Sequence, residues 1–123
     1  MKLSKIIEFN GVDLGPKLTD KDIEIMRDVA KSNKKVVAIG EIGLDYYWKE
    51  PEHEIQKIWF ERQLELAREV KKPVIIHSRE AAKDTYDIMC AHKASELGGV
   101  IHCYSYSAEM ALDFVKMGFS RGI

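Results

Sequence analysis

Val36-Val37-Ala38-Ile39-Gly40-Glu41 reads as an apolar strand, continuous rather than alternating, that runs into a carboxylate. Continuous apolar runs suit strands covered on both faces, as in parallel sheets. The pattern returns twice: Val74-Ile75-Ile76 runs into His77, and Val100-Ile101 into His102. Helical stretches lie between. Upstream, Thr19 is placed to cap a helix with Asp22 three residues on, and Ile23, Met26, Val29 and Ala30 keep helical spacing up to Ser32-Asn33. A long helix begins near Pro51, acidic at its start (Glu50, Glu52, Glu54) and basic at its end (Lys71, Lys72), an order that complements the helix dipole. Ile55, Trp59, Leu66 and Val70 belong to its inner stripe, and Pro73 stops it. Ala82, Tyr86, Met89 and Cys90 mark a third helix, after which Gly98-Gly99 breaks the chain. Ser107 is placed to cap a fourth, carrying Met110, Ala111, Phe114 and Val115 and ended by Gly118. Phe119 to Ile123 starts a further strand, Ile6-Ile7-Glu8-Phe9 reads as a short first one, and Gly11 to Pro16 reads as loop.

Strands alternating with helices argue for the α/β class, with a parallel sheet and right-handed crossovers. That is either a small open sheet or part of a (β/α)₈ barrel. A full barrel takes about 250 residues, and this chain has 123, one domain's worth. Lys plus Arg is 19 and Asp plus Glu is 20, a net charge of −1, so the chain lacks the basic excess of a protein that neutralises many phosphates. Any polyanion must be held locally. Apolar residues make up 46% and charged residues 32%, enough for a core and its cover. No run approaches the roughly 18 apolar residues of a membrane span or the core of a signal peptide. A soluble, cytoplasmic protein with no membrane partner is expected. Cys90 and Cys103 form no Cys-x-x-Cys and are expected as free thiols.

In a parallel sheet Glu41, His77 and His102 gather at the carboxyl edge, where α/β sites are built. Two imidazoles and a carboxylate are a usual set for zinc, manganese or iron. A single histidine at a strand end is more often a hydrogen-bonded structural residue, but three such residues at equivalent ends favour a metal or catalytic site. His53 and His92, on flanking helices, read as solvated surface residues. Arg79 suits a phosphate or carboxylate substrate; the alternative is an ion pair with Glu80 or another acid. Cys103 reads as a small buried hydrophobe rather than a soft ligand. Tyr46, Tyr47 and Trp48 either stack bases or pack beneath the neighbouring loop.

Three stretches resemble the signature of the TatD-type metal-dependent DNase family: Ala38 to Tyr47 (AIGEIGLDYY), Lys72 to Ala81 (KPVIIHSREA) and Gly99 to Ser105 (GVIHCYS), with Gln63 between them fitting as well. The resemblance covers about residues 19–123. It implies an amidohydrolase-like (β/α)₈ barrel with divalent metal (Zn, Mg or Mn) at its carboxyl end, and hydrolysis of DNA phosphodiesters. By resemblance Glu41 corresponds to the metal-bridging glutamate, and His77 and His102 to the two histidines of one metal. Arg79 corresponds to a substrate-phosphate contact, and Asp45 to a residue ordering the site from behind the ligands.

The family's His-x-His pair is absent, since no two of the histidines at 53, 77, 92 and 102 are two apart. Gly11-Val12-Asp13-Leu14 stands where the family has Gly-x-His-Pro, and no counterpart of its seventh-strand aspartate follows. The chain is therefore expected to be a partial TIM barrel of about four parallel strands alternating with helices, a single domain truncated at both ends relative to the family. Impaired deoxyribonuclease activity is expected. The alternative is a non-catalytic, self-associating remnant with a vestigial metal site. An open inner face of half a barrel should drive formation of a homo-oligomer.

Overall fold

The computed structural model describes residues 5–7, 20–47, 52–104 and 108–121, with the side chains of 5–7, 103–104, 108 and 120–121 excepted. The first strand, β1 (Lys5–Ile7), precedes helix α1 (Asp20–Ser32). There follow β2 (Val36–Asp45), α2 (His53–Val70), β3 (Val74–Arg79), α3 (Ala82–Ala91), a 3₁₀ turn (Ala94–Glu96), β4 (Gly99–Tyr104), α4 (Ala108–Lys116) and β5 (Phe119–Arg121). The strands form one five-stranded sheet in the order β1-β2-β3-β4-β5, every neighbouring pair parallel. About four strands were expected, and both terminal stretches that read as strands in the sequence also pair, over Lys5–Ile7 and Phe119–Arg121.

This order decides between the two α/β readings. A doubly wound sheet reverses its strand order part-way, which sends helices to both faces. Here each right-handed crossover moves one strand in the same direction, so the helices collect on one face, as in a segment of a (β/α)₈ barrel. The core lies between that face and the helices: Met26 and Ala30 from α1, Phe60 and Leu64 from α2, and Ile39, Leu44 and Ile76 from the sheet are all buried.

The other face explains a correction. Among the described residues, strand β3 is covered on one side only. Val74, Ile76 and Ser78 are buried, while Ile75, His77 and Arg79 are half-buried. The strand's apolar run reflects a barrel wall, whose inner residues are apolar although only the helix side is covered here. Val37 is 50% exposed at a register shift, where β1 pairs Lys5 with Val36 and Ile6 with Ala38 and leaves Val37 without a partner position. Val29, read as part of α1's inner face, is 40% exposed, and the buried stripe there is Ile23, Met26 and Ala30.

Helix α2 begins at His53 after Glu52, which makes no side-chain cap bond, and Pro51 lies outside the described residues. It ends before Pro73: Lys71 turns left-handed at φ 60°, and its N–H and that of Lys72 return to Arg68 and Ala67 carbonyls. The expected caps Thr19 and Ser107, and the loop Gly11–Pro16, lie outside the described residues. No helix among the described residues is long and apolar enough to cross a membrane.

Candidate functional site

The strand that carries Glu41 does not end there. β2 continues to Asp45, and its register against β3 slips between Gly40, opposite Ile75, and Ile42, opposite Ile76. Glu41 is the extra residue of this bulge, and the Gly40–Glu41 peptide is cis. Bulges bend a strand and re-aim its side chains. Past it, Ile42 and Leu44 are buried against the helices, while Glu41, Gly43 and Asp45 are half-buried on the other side. Gly43 lies opposite His77 with φ +142°, and a Cβ there would sit 1.9 Å from the His77 carbonyl oxygen. Only glycine lets β2 come this close.

His77 and His102 are likewise inside their strands rather than beyond them, and they are direct register partners across β3 and β4. In β4 Ile101 is buried and His102 half-buried. Alternation and register thus put Glu41, Asp45, His77, Arg79 and His102 on the helix-free face. Asp45 Oδ2 lies 3.0 Å from His77 Nε2. An ionised carboxylate only accepts, so Nε2 carries the hydrogen of this bond, and in a neutral ring Nδ1 is left as the acceptor. Asp45 Oδ1 also accepts from the Tyr47 N–H at 3.2 Å. The Arg79 guanidinium lies over the Tyr47 ring, 4.0 Å from its centroid, and among the described residues no carboxylate pairs with it. The expected alternative of an ion pair with Glu80 is not what the arginine does.

Of the aromatic residues after β2, Tyr46 packs, while Tyr47 is 51% exposed beneath the Arg79 guanidinium. The Tyr46 ring stacks on His53 with centroids 3.8 Å apart, and its hydroxyl donates to Asp84 Oδ2 at 2.7 Å. Burial and that bond push the Tyr46 phenol far above its ordinary range. The same bond, helped by Lys57 at 3.5 Å, holds the Asp84 carboxyl below the usual carboxylate range against the opposing effect of burial. Trp48 lies outside the described residues.

His53 is exposed but stacked, and His92 is not a solvated surface residue. It follows α3, with Nδ1 2.6 Å from Glu65 Oε2 and Nε2 3.2 Å from Glu61 Oε2. Burial opposes its charge, yet the two carboxylates raise its pKa overall. Cys90 is free and exposed, and the Cys103 side chain is outside the described set.

Sequence reading missed Gln56. This side chain of α2 is 6% exposed. Its Oε1 accepts from the Asp45 N–H at 2.7 Å, and its Nε2 donates to the Asp45 carbonyl at 3.2 Å. The available signal was a glutamine pair, Gln56 and Gln63, seven residues apart on the apolar stripe with Trp59 and Phe60.

In kind, one carboxylate and two imidazoles on adjacent strands fit a divalent cation, and the Asp45–His77 bond is the usual way such an imidazole is oriented. In arrangement the set is open: among the described residues no three His, Cys, Asp or Glu side chains are gathered closely enough to hold an ion.

The sequence matches the family described as TatD related DNase over residues 12–123. It is 42% identical over 102 residues to YabD, an uncharacterized metal-dependent hydrolase of Bacillus subtilis, covering 83% of this chain and 40% of that protein. It is 40% identical over 99 residues to YcfH of Escherichia coli K12, also named an uncharacterized metal-dependent hydrolase, covering 80% of this chain and 37% of that protein. The crystal structure of YjjV, a TatD homologue of Escherichia coli K12, superposes with a TM-score of 0.84 at 32% identity over 96% of this chain and 45% of its own. That of a TatD-family hydrolase from Entamoeba histolytica gives 0.70 at 27% identity over 81% of this chain and 34% of its own. The chain spans about 40% of the length of the curated relatives it matches.

Proposed function

The chain belongs to the TatD-related DNase family, and on that premise we propose that it carries part of the centre of a metal-dependent hydrolase acting on DNA phosphodiester bonds. The observation that supports this most is the row Glu41, Asp45, His77, Arg79 and His102 on the helix-free face of adjacent parallel strands. Glu41, His77 and His102 would hold a divalent cation (Zn, Mg or Mn). When bound, it supplies Lewis acidity and an acidified water. Asp45 keeps His77 in one tautomer. Arg79, always charged and backed by Tyr47, is the group suited to a phosphate oxygen.

Calorimetry with Zn²⁺ or Mn²⁺ tests the ligands. Binding weaker than that of a full-length relative, and removed by His77→Ala, is expected; tight binding that survives His77→Ala overturns the assignment. In a nuclease assay the chain alone should cleave DNA little or not at all, because an open face admits water that weakens electrostatic stabilisation. Metal-dependent cleavage lost in Glu41→Ala would show instead that the half-site is sufficient. Metal-dependent turnover of a small-molecule amide or ester, with DNA failing to compete, would replace the DNA reading.

A second reading, a non-catalytic remnant that self-associates, is favoured by the open donor set. It requires no measurable metal binding in the same calorimetry.

A further inference from the structure

We propose that Gln56 is the positioning residue of the Asp45–His77 pair: it grips the main chain of Asp45 from the helix side so that the carboxylate meets His77 on the opposite side. The inference deepens the metal-hydrolase reading and rests on it for the importance of His77.

Asp45 is the last residue of β2, where the ladder to β3 closes with the Tyr46 N–H donating to the Arg79 carbonyl. Successive residues of a strand point their N–H and C=O groups to opposite edges. With Tyr46 turned to β3, the Asp45 N–H and C=O turn away from it. Gln56 satisfies both with a single carboxamide, at 2.7 and 3.2 Å, as a neighbouring strand would. Its own side chain is fixed by burial between α2 and the sheet. The strand terminus is thereby held at the point where fraying would begin. From that held main chain the Asp45 carboxylate reaches His77 Nε2 with one oxygen and the Tyr47 N–H with the other. Asp45 and His77 sit on different strands, so their separation follows from how the end of β2 is held, by the ladder to β3 on one edge and by Gln56 on the other. A displacement of Asp45 of about 1 Å would break the bond geometry and release His77 to rotate or exchange tautomers.

Gln63 provides an internal control. It lies on the same helix and is 3% exposed, but its Nε2 donates to the Trp59 carbonyl and does not reach β2's end. A role for Gln56 in helix packing alone would be shared by Gln63; a positioning role would not.

The test uses ¹⁵N-labelled, metal-free chain, with the His77 ring signals assigned by their loss in His77→Gln. The wild type should show one tautomer with a slowly exchanging Nε2–H. Gln56→Ala should give mixed tautomers and fast exchange with the amide spectrum otherwise retained, and Mn²⁺ affinity at least tenfold lower. Gln56→Glu keeps an acceptor for the Asp45 N–H and loses the donor, so it should fall between; it carries the test if the alanine variant does not fold. Gln63→Ala should leave the His77 signature and the affinity as in the wild type. The proposal is overturned if folded Gln56 variants keep the wild-type His77 signature, or if Gln63→Ala disturbs it as much. If the signature depends on Gln56 while the wild type binds no Mn²⁺, the grip stands and the metal reading fails.

Discussion

Gly43 shows how one residue governs the site. Its φ of +142° and the 1.9 Å approach of any added Cβ to the His77 carbonyl leave no room for a side chain. Gly43→Ala must either push β2 off β3 or flatten the bulge beside Glu41. Urea unfolding should show a loss of at least about 2 kcal/mol, the scale of a strained backbone plus broken ladder bonds; a loss below about 0.5 kcal/mol would mean the close approach is readily relieved. At this scale the sequence was legible where chemistry and position coincide. Glu41, His77 and His102 stood out because polar residues ended apolar runs. Gln56 did not, because a glutamine in a helix looks the same whether its amide meets water or a strand end 11 residues away in sequence.

At the level of elements, the cores of helices and strands were legible and their ends were not. β2 outran its apolar stretch by five residues, to Asp45, because a bulge and glycine contacts extend the ladder where side-chain patterning stops. The junction of α2 with the end of α3 was hidden as well. There His92 bridges Glu61 and Glu65, while Arg68 bonds its carbonyl and pairs with Glu96. His92 has a raised pKa in the folded chain, so its contribution is fully present below the unfolded value of about 6.5 and is lost as pH rises through the raised one. His92→Gln should therefore destabilise the chain near pH 5.5 and cost less near pH 9. The difference should stay below about 1 kcal/mol because both glutamates are well exposed. Denaturant melts at the two pH values decide this; a larger cost at the alkaline end would contradict the charge bridge.

For the whole molecule, the decisive feature is a sheet that, among the described residues, carries helices on one face only. Ile75 and Val100 are half-buried on the other. Strands β1 and β5 are the sheet's edges among the described residues. Uncovered apolar wall and open parallel edges invite pairing. Prepared by itself, the 123-residue chain is expected to self-associate through this face at micromolar concentration. Sedimentation equilibrium checks it, and Ile75→Lys with Val100→Lys should shift the assembly toward monomer. A folded wild-type monomer would overturn the expectation.

Apolar runs punctuated by helical spacing determined the parallel α/β class, and polar residues ending those runs marked the face that carries Glu41, His77 and His102. Those are local signals, carried by neighbours along the chain. Only the tertiary structure decided that the crossovers all move one way, that Glu41 sits in a bulge, that Arg79 lies over Tyr47, and that Gln56 holds Asp45 against His77. Each depends on registers and contacts between segments tens of residues apart, where burial and hydrogen-bond satisfaction across strands, rather than the propensity of any one stretch, select the arrangement.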